Sequence, residues 1–216
     1  MSVNTISQSA IARALRTSSA SLHEAGDKIG ALPSVLKPLS PDMRLCGRAF
    51  PVKSPSGDNL WLHHAIYAAA AGDVLVVNVG ADPEFGYWGA IMTAAAQAQK
   101  LAGLVINGCV RDGQQVVAMN FPLFSTGLCI RGTGKDVKGA GSLGKAIRID
   151  DITINAGDMV FGDADGVVVL PAASAAKIAE AAEQRDLEEA EIFRKLKQGQ
   201  TTMQIYGLPK PAEWGK

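Results

Sequence analysis

The sequence predicts a single domain of mixed α/β class, with a helix at each end and a sheet-rich centre. Two features carry this prediction. Residues 73–79 and 103–110 are continuous apolar runs of strand length, and such runs form strands that are buried on both faces of a sheet. The Ala-rich residues 88–101 between them are typical of a helix, so strand, helix and strand follow one another as in a parallel crossover unit.

The other elements follow from spacing and from turn residues. Apolar residues at helical spacing predict an N-terminal helix over about residues 5–28, followed by a proline-rich connector. Residues 44–52 are predicted to form a strand, residues 54–59 a loop, and residues 60–71 a helix that Gly72 closes. Short strands are predicted at residues 116–119, 123–126, 146–149, 152–154, 159–162 and 167–170. A long charged helix over about residues 172–198 ends the domain, which spans residues 1–216.

Composition and charge narrow the classes of function. The chain has 216 residues, with 21 Lys+Arg and 21 Asp+Glu, so it has no basic excess to hold a nucleic-acid backbone. The N-terminus lacks the pattern of a signal peptide, and no apolar run is long enough to span a bilayer. The three cysteines are an odd number without C-x-x-C spacing, which argues against a disulfide framework or a zinc knuckle. We therefore expect a cytoplasmic protein without nucleic-acid or membrane partners.

A short motif occurs twice, as AGDVLVVN at residues 71–78 and AGDMVFGD at residues 156–163. Gly tolerates positive φ, and an Asp side chain can bond back to the backbone of its own turn. The motif therefore predicts a tight turn before each buried strand.

Arg111 and Asp112 follow directly after the second buried run. Ligands of open parallel sheets collect beyond the carboxyl ends of the strands, where this pair lies. Asp112 offers hard oxygen ligation suited to Mg²⁺ or Mn²⁺, and Arg111 offers a planar fork suited to a carboxylate. Consecutive extended residues point opposite ways, so the two side chains need not pair with each other. A structural surface pair is the alternative interpretation.

A second candidate element is the start of the helix that follows Trp88, in the segment YWGAIM. Free backbone N–H groups at a helix start bind anions, and Gly89 permits a ligand to approach closely. The alternative is an ordinary helix start with a buried Trp. We interpret His63 and His64 as structural, because adjacent helical residues cannot face one metal together. The glycine-rich residues 131–144 are predicted to be a mobile loop, and they are a weak phosphate cradle because no clear helix follows.

Several stretches together resemble the RraA-like family over about residues 17–208. They are GRAFPV (47–52), GDNL (57–60), AGDVLVVN (71–78), YWGAIMTAAAQAQKLAGLVINGCVRD (87–112), FPLF (121–124) and GDMVFGDADGVVVLP (157–171). The most specific element is G-x-x-R-D at residues 108–112, at its distance from the Trp-Gly helix start. One branch of this family contains 4-hydroxy-4-methyl-2-oxoglutarate/4-carboxy-4-hydroxy-2-oxoadipate aldolases, and another contains regulators of ribonuclease E. Members have also been mislabelled as menaquinone-pathway methyltransferases.

The resemblance implies a swivelling β/β/α fold that assembles as a homotrimer or homohexamer with sites between subunits. It implies a divalent metal, Mg²⁺, Mn²⁺ or another, held by Asp112 largely through waters. It implies that Arg111 and the backbone amides of Gly89, Ala90, Ile91 and Met92 bind the pyruvate part of a 2-oxo acid substrate. The implied reaction is a metal-assisted retro-aldol cleavage, with oxaloacetate decarboxylation as a side activity through the same enolate.

One residue departs from the family pattern. The aldolases usually have an acidic residue directly after the helix-start Gly, where this chain has Ala90. Asp82 or Glu84 in the preceding loop is a possible substitute, and otherwise the substrate differs or the activity is weak. A further family carboxylate comes from the neighbouring subunit's C-terminal helix, where the spacing to Arg194 favours Glu191 over Glu188 and Glu189.

Three functions compete at this point. The first is a metal-dependent lyase for a 4-hydroxy-2-oxo dicarboxylate, in the breakdown of aromatic acids. The second is a protein regulator of ribonuclease E. The Arg-Asp pair does not distinguish this function from the first, because regulators can retain the pair. The third is a related 2-oxo acid lyase, decarboxylase, hydratase or tautomerase with a changed substrate, which Ala90 favours. The sequence does not choose the substrate.

Overall fold

The computed structural model describes residues 6–210, which form helices around one main mixed sheet, together with two small two-stranded sheets. The helices in this range are α1 (Gln8–Ala14), α2 (Ser19–Ala25), α3 (Leu60–Ala68), α4 (Ala90–Ala98), α5 (Gly113–Ala118), α6 (Ala175–Lys197) and α7 (Thr202–Ile205). The strands are β1 (Lys37–Pro38), β2 (Leu45–Lys53), β3 (Asp73–Asn78), β4 (Gly103–Asn107), β5 (Cys109–Val110), β6 (Leu123–Ser125), β7 (Gly127–Leu128), β8 (Ser142–Leu143), β9 (Ile147–Ile149), β10 (Ile152–Ile154), β11 (Met159–Asp163) and β12 (Gly166–Leu170). The mixed α/β class and the terminal helices are as the sequence predicts.

The main sheet has the strand order β1-β6-β4-β3-β2-β11-β12, and β8 also pairs with β2. Strands β2, β3, β4 and β6 run parallel, whereas β1, β8, β11 and β12 are antiparallel to their neighbours. Side chains alternate between two cores, so that Leu75 and Val77 face α3 and α4, and Val74 and Val76 face the β9–β10 side. This double burial explains why the β3 run is apolar at every position.

The predicted crossover is confirmed, because α4 connects the parallel neighbours β3 and β4. A second crossover connects β4 to β6 through α5, and here the predicted strand at residues 116–119 is wrong. The adjacent Val116 and Val117 suggested a strand. In the helix Val116 is fully buried while Val117 is 38% exposed, and the N–H of Val116 donates to the carbonyl of Asp112 at 3.0 Å.

The predicted N-terminal helix over residues 5–28 is two helices, α1 and α2, and residue 5 lies outside the described range. The helix stops because the hydroxyl of Thr17 donates to the carbonyl of Ala14 at 3.0 Å. Ser18 is then extended and accepts from the N–H of Ser21, which starts the second helix. The polar residues 16–18, which interrupt the helical spacing of apolar residues, therefore mark a boundary between two helices.

Both Gly-Asp turns are confirmed. Gly72 and Gly157 have φ of 83° and 89°, in the left-handed region. Asp73 accepts a hydrogen bond from the N–H of Ala70 at 2.9 Å, and Asp158 accepts one from the N–H of Asn155 at 2.8 Å. Each turn thus directs the chain into a buried strand, β3 or β11, as the motif predicts.

The C-terminal helix α6 lies where the sequence predicts it. Its first half packs on α1 and α2 through Ala175, Ile178, Ala179 and Ala182, which are buried. Its second half is charged and exposed. No helix within residues 6–210 has the length and apolar character needed to cross a membrane.

Candidate active site

A cavity of about 240 Å³ opens beyond the carboxyl ends of β3 and β4. It is lined by Asn59, His63, Gly86, Tyr87, Trp88, Gly89, Ile91, Met92, Arg111, Asp112, Gly132, Thr133 and Lys135. The two elements singled out in the sequence, the strand end with Arg111 and the helix start with Gly89, therefore form one site. This is the position at which open parallel sheets bind ligands.

Asp112 is joined directly to the start of α4. Its backbone is left-handed, with φ of 59° and ψ of 33°, and its Oδ2 accepts a hydrogen bond of 3.0 Å from the N–H of Ala90. The Nε of Arg111 lies 3.9 Å from the same Oδ2. The expectation that the two side chains diverge as on an extended strand is wrong, because the left-handed turn at Asp112 brings both to the same cavity.

Two glycines allow this close approach. A methyl group on Gly89 would clash with Oδ2 of Asp112 and lie 3.2 Å from Cγ of Arg111. A methyl group on Gly86 would lie 2.6 Å from the carbonyl oxygen of Cys129 and 3.0 Å from Cβ of Arg111. The N–H of Arg111 also donates to the carbonyl of Trp88 at 2.8 Å. Residues 86–89 can therefore contact the strand end only without side chains at these two positions.

The start of α4 presents backbone amides to the cavity. Thr93 is the first residue of this helix whose N–H donates to a helical carbonyl, that of Gly89 at 3.0 Å. The N–H of Ala90 is taken by Asp112, which leaves Ile91 and Met92 as amides that precede the first turn. Trp88 is fully buried and its Nε1 donates to the hydroxyl of Thr93 at 2.8 Å. The buried Trp and the ligand-facing helix start are thus two features of one element.

The structure adds His63 and Lys135 to the site. His63 follows Asn59 by one helical turn on α3, and both line the cavity. Lys135 comes from the glycine-rich residues 131–144, which the sequence predicts to be a mobile loop. Two features of the sequence could have indicated these residues. Lys135 is a cation within a glycine-rich segment, and His63 lies one helical turn after the GDNL motif. Neither indicates a site without the tertiary contacts.

His63 is the imidazole among the cavity-lining residues. Burial lowers its pKa, the neighbouring Lys135 and His64 lower it further, and Asp58 acts in the opposite direction. The side chain therefore favours the neutral form, which can accept a proton. His63 faces the cavity, and the prediction that it is a structural residue stays a prediction.

The acidic candidates from the sequence lie elsewhere. Asp82 and Glu84 are not among the cavity-lining residues, and Asp82 lies 3.9 Å from Arg131. Glu191 on α6 forms two hydrogen bonds to Arg194, at 2.7 and 2.6 Å, which lower its pKa. Glu191 of the same chain is not among the residues that line the cavity. The prediction that the neighbouring subunit's Glu191 completes the site concerns an assembly and stays a prediction.

The free oxygen of the Asp112 carboxylate, Oδ1, suits a hydrated divalent cation. No group among residues 6–210 donates to Oδ1 of Asp112, and this side chain is 38% exposed. In the same range, no three side chains of His, Cys, Asp or Glu lie close enough together to enclose a metal. Mg²⁺ keeps several waters and is commonly held by one or two carboxylates. One free carboxylate oxygen suits that mode of binding and does not suit an all-protein cage.

The fold and the site define an α/β protein in which a helix start and an Arg-Asp strand end meet at the carboxyl edge of a mixed sheet. The sequence model of one family, RraA-like, described as Aldolase/RraA, matches residues 10–169. The chain belongs to the RraA-like family.

Individual relatives agree with this assignment. A protein of Halalkalibacterium halodurans named "Putative 4-hydroxy-4-methyl-2-oxoglutarate aldolase" is 30% identical over 185 residues, which cover 86% of this chain and 87% of that protein. The crystal structure of an uncharacterized protein from Pseudomonas syringae pv. tomato matches with a TM-score of 0.82 and 30% identity, covering 94% of this chain and 97% of the other. Streptomyces coelicolor RraAS2, described as an unusual member of the RNase ES inhibitor RraA family, matches with a TM-score of 0.72. It covers 89% of this chain and 99% of the other at 23% identity, which shows the shared fold.

Proposed function

We propose that this protein is a divalent-metal-dependent lyase that cleaves a 4-hydroxy-2-oxo dicarboxylic acid to pyruvate and a second 2-oxo acid. Its substrate would be 4-hydroxy-4-methyl-2-oxoglutarate or 4-carboxy-4-hydroxy-2-oxoadipate. The observation that carries the proposal is the junction of Arg111 and Asp112 with the start of α4 in one cavity. The name of the Halalkalibacterium halodurans relative supports the same class of substrate.

Arg111 and the helix start would bind the pyruvate part of the substrate. The guanidinium is a planar fork that suits a carboxylate, and the Arg111 side chain is 50% exposed. The amides of Ile91 and Met92 add donors at the positive end of the α4 dipole. These groups favour negative charge on the 2-oxo oxygen as the C3–C4 bond breaks, which is the origin of electrostatic catalysis.

Asp112 would hold the metal through Oδ1, since Oδ2 is bonded to the N–H of Ala90. A divalent cation, when bound, supplies positive charge toward the oxygen that becomes negative. The fixed Oδ2 keeps the carboxylate in one orientation, so the free oxygen points in a constant direction.

His63 would take the proton from the 4-hydroxyl group. Retro-aldol cleavage requires this removal: the O–H proton passes to His63, C4 forms a carbonyl as the C3–C4 bond breaks, and the electron pair of that bond moves toward the 2-oxo group. Return of the proton from His63 to C3 then gives pyruvate. Position 90 has no carboxylate to help, and Asp82 and Glu84 do not line the cavity. Neutral His63 is the cavity-lining side chain suited to accept a proton. Lys135 would offer its charge to the second carboxylate of the substrate.

Oxaloacetate decarboxylation is a second candidate reaction, which Ala90 specifically favours. Loss of CO₂ from C4 leads to the same pyruvate enolate and requires no proton to be taken from a hydroxyl group. A site without an acid at position 90 would therefore keep the groups that decarboxylation needs, which are Arg111, the helix-start amides and the metal at Asp112. Neighbouring subunits of a homotrimer or homohexamer would complete the site in either case.

Pyruvate release tests both reactions. The purified protein is given a panel of 4-hydroxy-2-oxo acids and oxaloacetate, with Mg²⁺, with Mn²⁺ and with excess chelator. We expect metal-dependent pyruvate release from at least one hydroxy-oxo diacid. Release from oxaloacetate alone supports the second candidate, and no release from any compound with metal present refutes both.

A further inference from the structure

We infer that Asp58 is a positioning residue of this site: its single carboxylate holds both the helix that carries His63 and the segment that carries Lys135. We call residues 131–136 the strap, because they run along the cavity from Arg131 to Asp136 and supply Gly132, Thr133 and Lys135 to its lining. The inference rests on the proposed function in so far as His63 and Lys135 act on the substrate.

Both oxygens of the Asp58 carboxylate are occupied by backbone donors. Oδ1 accepts from the N–H of Leu60 at 2.8 Å, and Oδ2 accepts from the N–H of Asp136 at 2.5 Å. The first bond caps α3, whose N-cap residue Asn59 makes no side-chain cap of its own. Asp58 is only 5% exposed, and within residues 6–210 it forms no ion pair. Hydrogen bonds to an ionised carboxylate are among the strong ones, and the N-terminus of α3 favours the charge.

Backbone bonds extend the same contact. The N–H of Gly134 donates to the carbonyl of Gly57 at 2.7 Å, and the N–H of Asn59 donates to the carbonyl of Gly134 at 3.2 Å. These bonds form a parallel bridge between Asp58 and Gly134. The strap is therefore attached to the GDNL motif on both sides of Lys135. This attachment is at odds with the mobile loop that the glycine content predicts.

The other end of the strap is tied to the second wall of the cavity. The N–H of Gly86 donates to the carbonyl of Arg131 at 2.8 Å, and the Arg131 guanidinium lies 5.0 Å from the ring centre of Phe85. Beyond the strap, Nε1 of Trp61 donates to the carbonyl of Gly139 at 2.9 Å. The Asp58 end is the attachment that a single buried side chain controls, so it decides where Lys135 stands relative to His63.

Asp58→Asn tests this role without changing the size of the side chain. An amide has one oxygen, so its NH₂ group must face the N–H of either Leu60 or Asp136. We expect hydrogen exchange at Gly134 and Asp136, followed by mass spectrometry, to be at least roughly tenfold faster, because a bond to a charged acceptor is lost. Asp136→Asn is the matched control, since it makes the same charge change while its side chain bonds only to the N–H of Lys138 within its own turn. Unchanged exchange in Asp58→Asn overturns the inference.

A double-mutant cycle separates positioning from a general structural effect. If Asp58 acts through Lys135, Asp58→Asn raises the KM of the hydroxy-oxo diacid by roughly tenfold in the wild-type background and by little in the Lys135→Ala background. If Asp58→Asn raises KM by the same factor in both backgrounds, the link to Lys135 is overturned. If Asp58→Asn does not fold, Asp136→Pro removes the N–H that donates to Oδ2 and leaves α3 capped, and Asp136→Ala controls for the lost side-chain bond to the N–H of Lys138. A wild-type protein inactive on every compound refutes the proposed function, while the exchange measurement still decides whether Asp58 holds the strap.

Discussion

The backbone N–H of Ala90 donates a hydrogen bond of 3.0 Å to Oδ2 of Asp112. This contact joins the start of α4 to the end of the β4–β5 segment and fixes one oxygen of the carboxylate. The other oxygen is left for a ligand, and the lack of a side chain at Gly89 makes the contact possible.

Asp112→Asn should abolish metal-dependent turnover while the fold remains intact. The Asn side-chain oxygen can still accept from the N–H of Ala90, but the negative charge that holds a divalent cation is gone. We expect a loss of roughly 10²–10³-fold in kcat, the range seen when one group that stabilises developing charge is removed. The thermal midpoint of the variant without metal serves as the control and should stay close to that of the wild type. Full activity in the variant, or of the wild type in excess chelator, contradicts the proposed role.

Gly89→Ala should destabilise the protein by about 1–3 kcal/mol, the usual cost of forcing extra volume into a packed site. The new methyl group would clash with the Asp112 carboxylate and would displace it from the N–H of Ala90. Gly132→Ala is the matched control for stability, because a methyl group there meets nothing within 4 Å. Denaturant unfolding of both variants provides the measurement, and equal stabilities would show that the close approach is not required.

The acidic limb of the pH profile should report the protonation of His63. Burial, Lys135 and His64 lower the pKa of this imidazole, and Asp58 opposes them, while Arg111 and Asp112 also face the cavity. Only the neutral form accepts a proton, so kcat/KM should fall as the pH decreases through that pKa. Lys135→Met removes a cation that lowers the pKa, so the limb should move to higher pH.

Lys138→Met is the control for that shift, because Lys138 carries the same charge but does not line the cavity. His63→Gln should remove the limb altogether and lower retro-aldol turnover by roughly 10²-fold, within the range for general base catalysis. A limb that stays in place in Lys135→Met, or that moves to lower pH, would argue against His63 as the base.

Ala90→Asp should raise retro-aldol turnover of 4-hydroxy-4-methyl-2-oxoglutarate in the presence of Mg²⁺. A carboxylate at the first residue of α4 is favoured by the helix dipole and restores the acid that this position lacks. Well-placed acid–base assistance is worth roughly 10²–10⁴-fold, and we expect at least tenfold. Oxaloacetate decarboxylation should not gain in the same way, because it requires no proton to be taken from a hydroxyl group. Ala90→Asn controls for size, and unchanged rates on both substrates would place residue 90 outside the chemistry.

Light scattering should show a trimer or hexamer at micromolar concentration. The zero net charge offers no long-range repulsion against assembly, and the second half of α6 is exposed in one chain with its Leu187 and Phe193 side chains 64% and 62% exposed. Glu191→Gln should lower activity without changing the assembly if the neighbouring subunit's Glu191 reaches the site. Glu189→Gln is the control on the same helix, and a monomeric wild type contradicts this prediction.

The sequence alone determined the parts of this protein that depend on neighbouring residues. The apolar runs gave β3 and β4, the Gly-Asp pairs gave the turns before β3 and β11, and the position of Arg111 and Asp112 after a buried run indicated the ligand edge. Period and turn chemistry act over a few residues, so they can be read without the fold. The same local rules failed at residues 116–119, where two β-branched residues lie in a helix that buries only one of them.

Only the tertiary structure decided how these parts meet. The Ala90–Asp112 bond joins residues 22 apart in the chain, and the Asp58–Asp136 bond joins residues 78 apart. The first fixes one oxygen of the Asp112 carboxylate, and the second ties the segment of Lys135 to the residue before the helix of His63. Contacts at such separations depend on the packing of whole elements and loops, which no local pattern encodes. For that physical reason His63 and the glycine-rich strap have the sequence signals of structural and mobile segments, and the fold makes them part of the site.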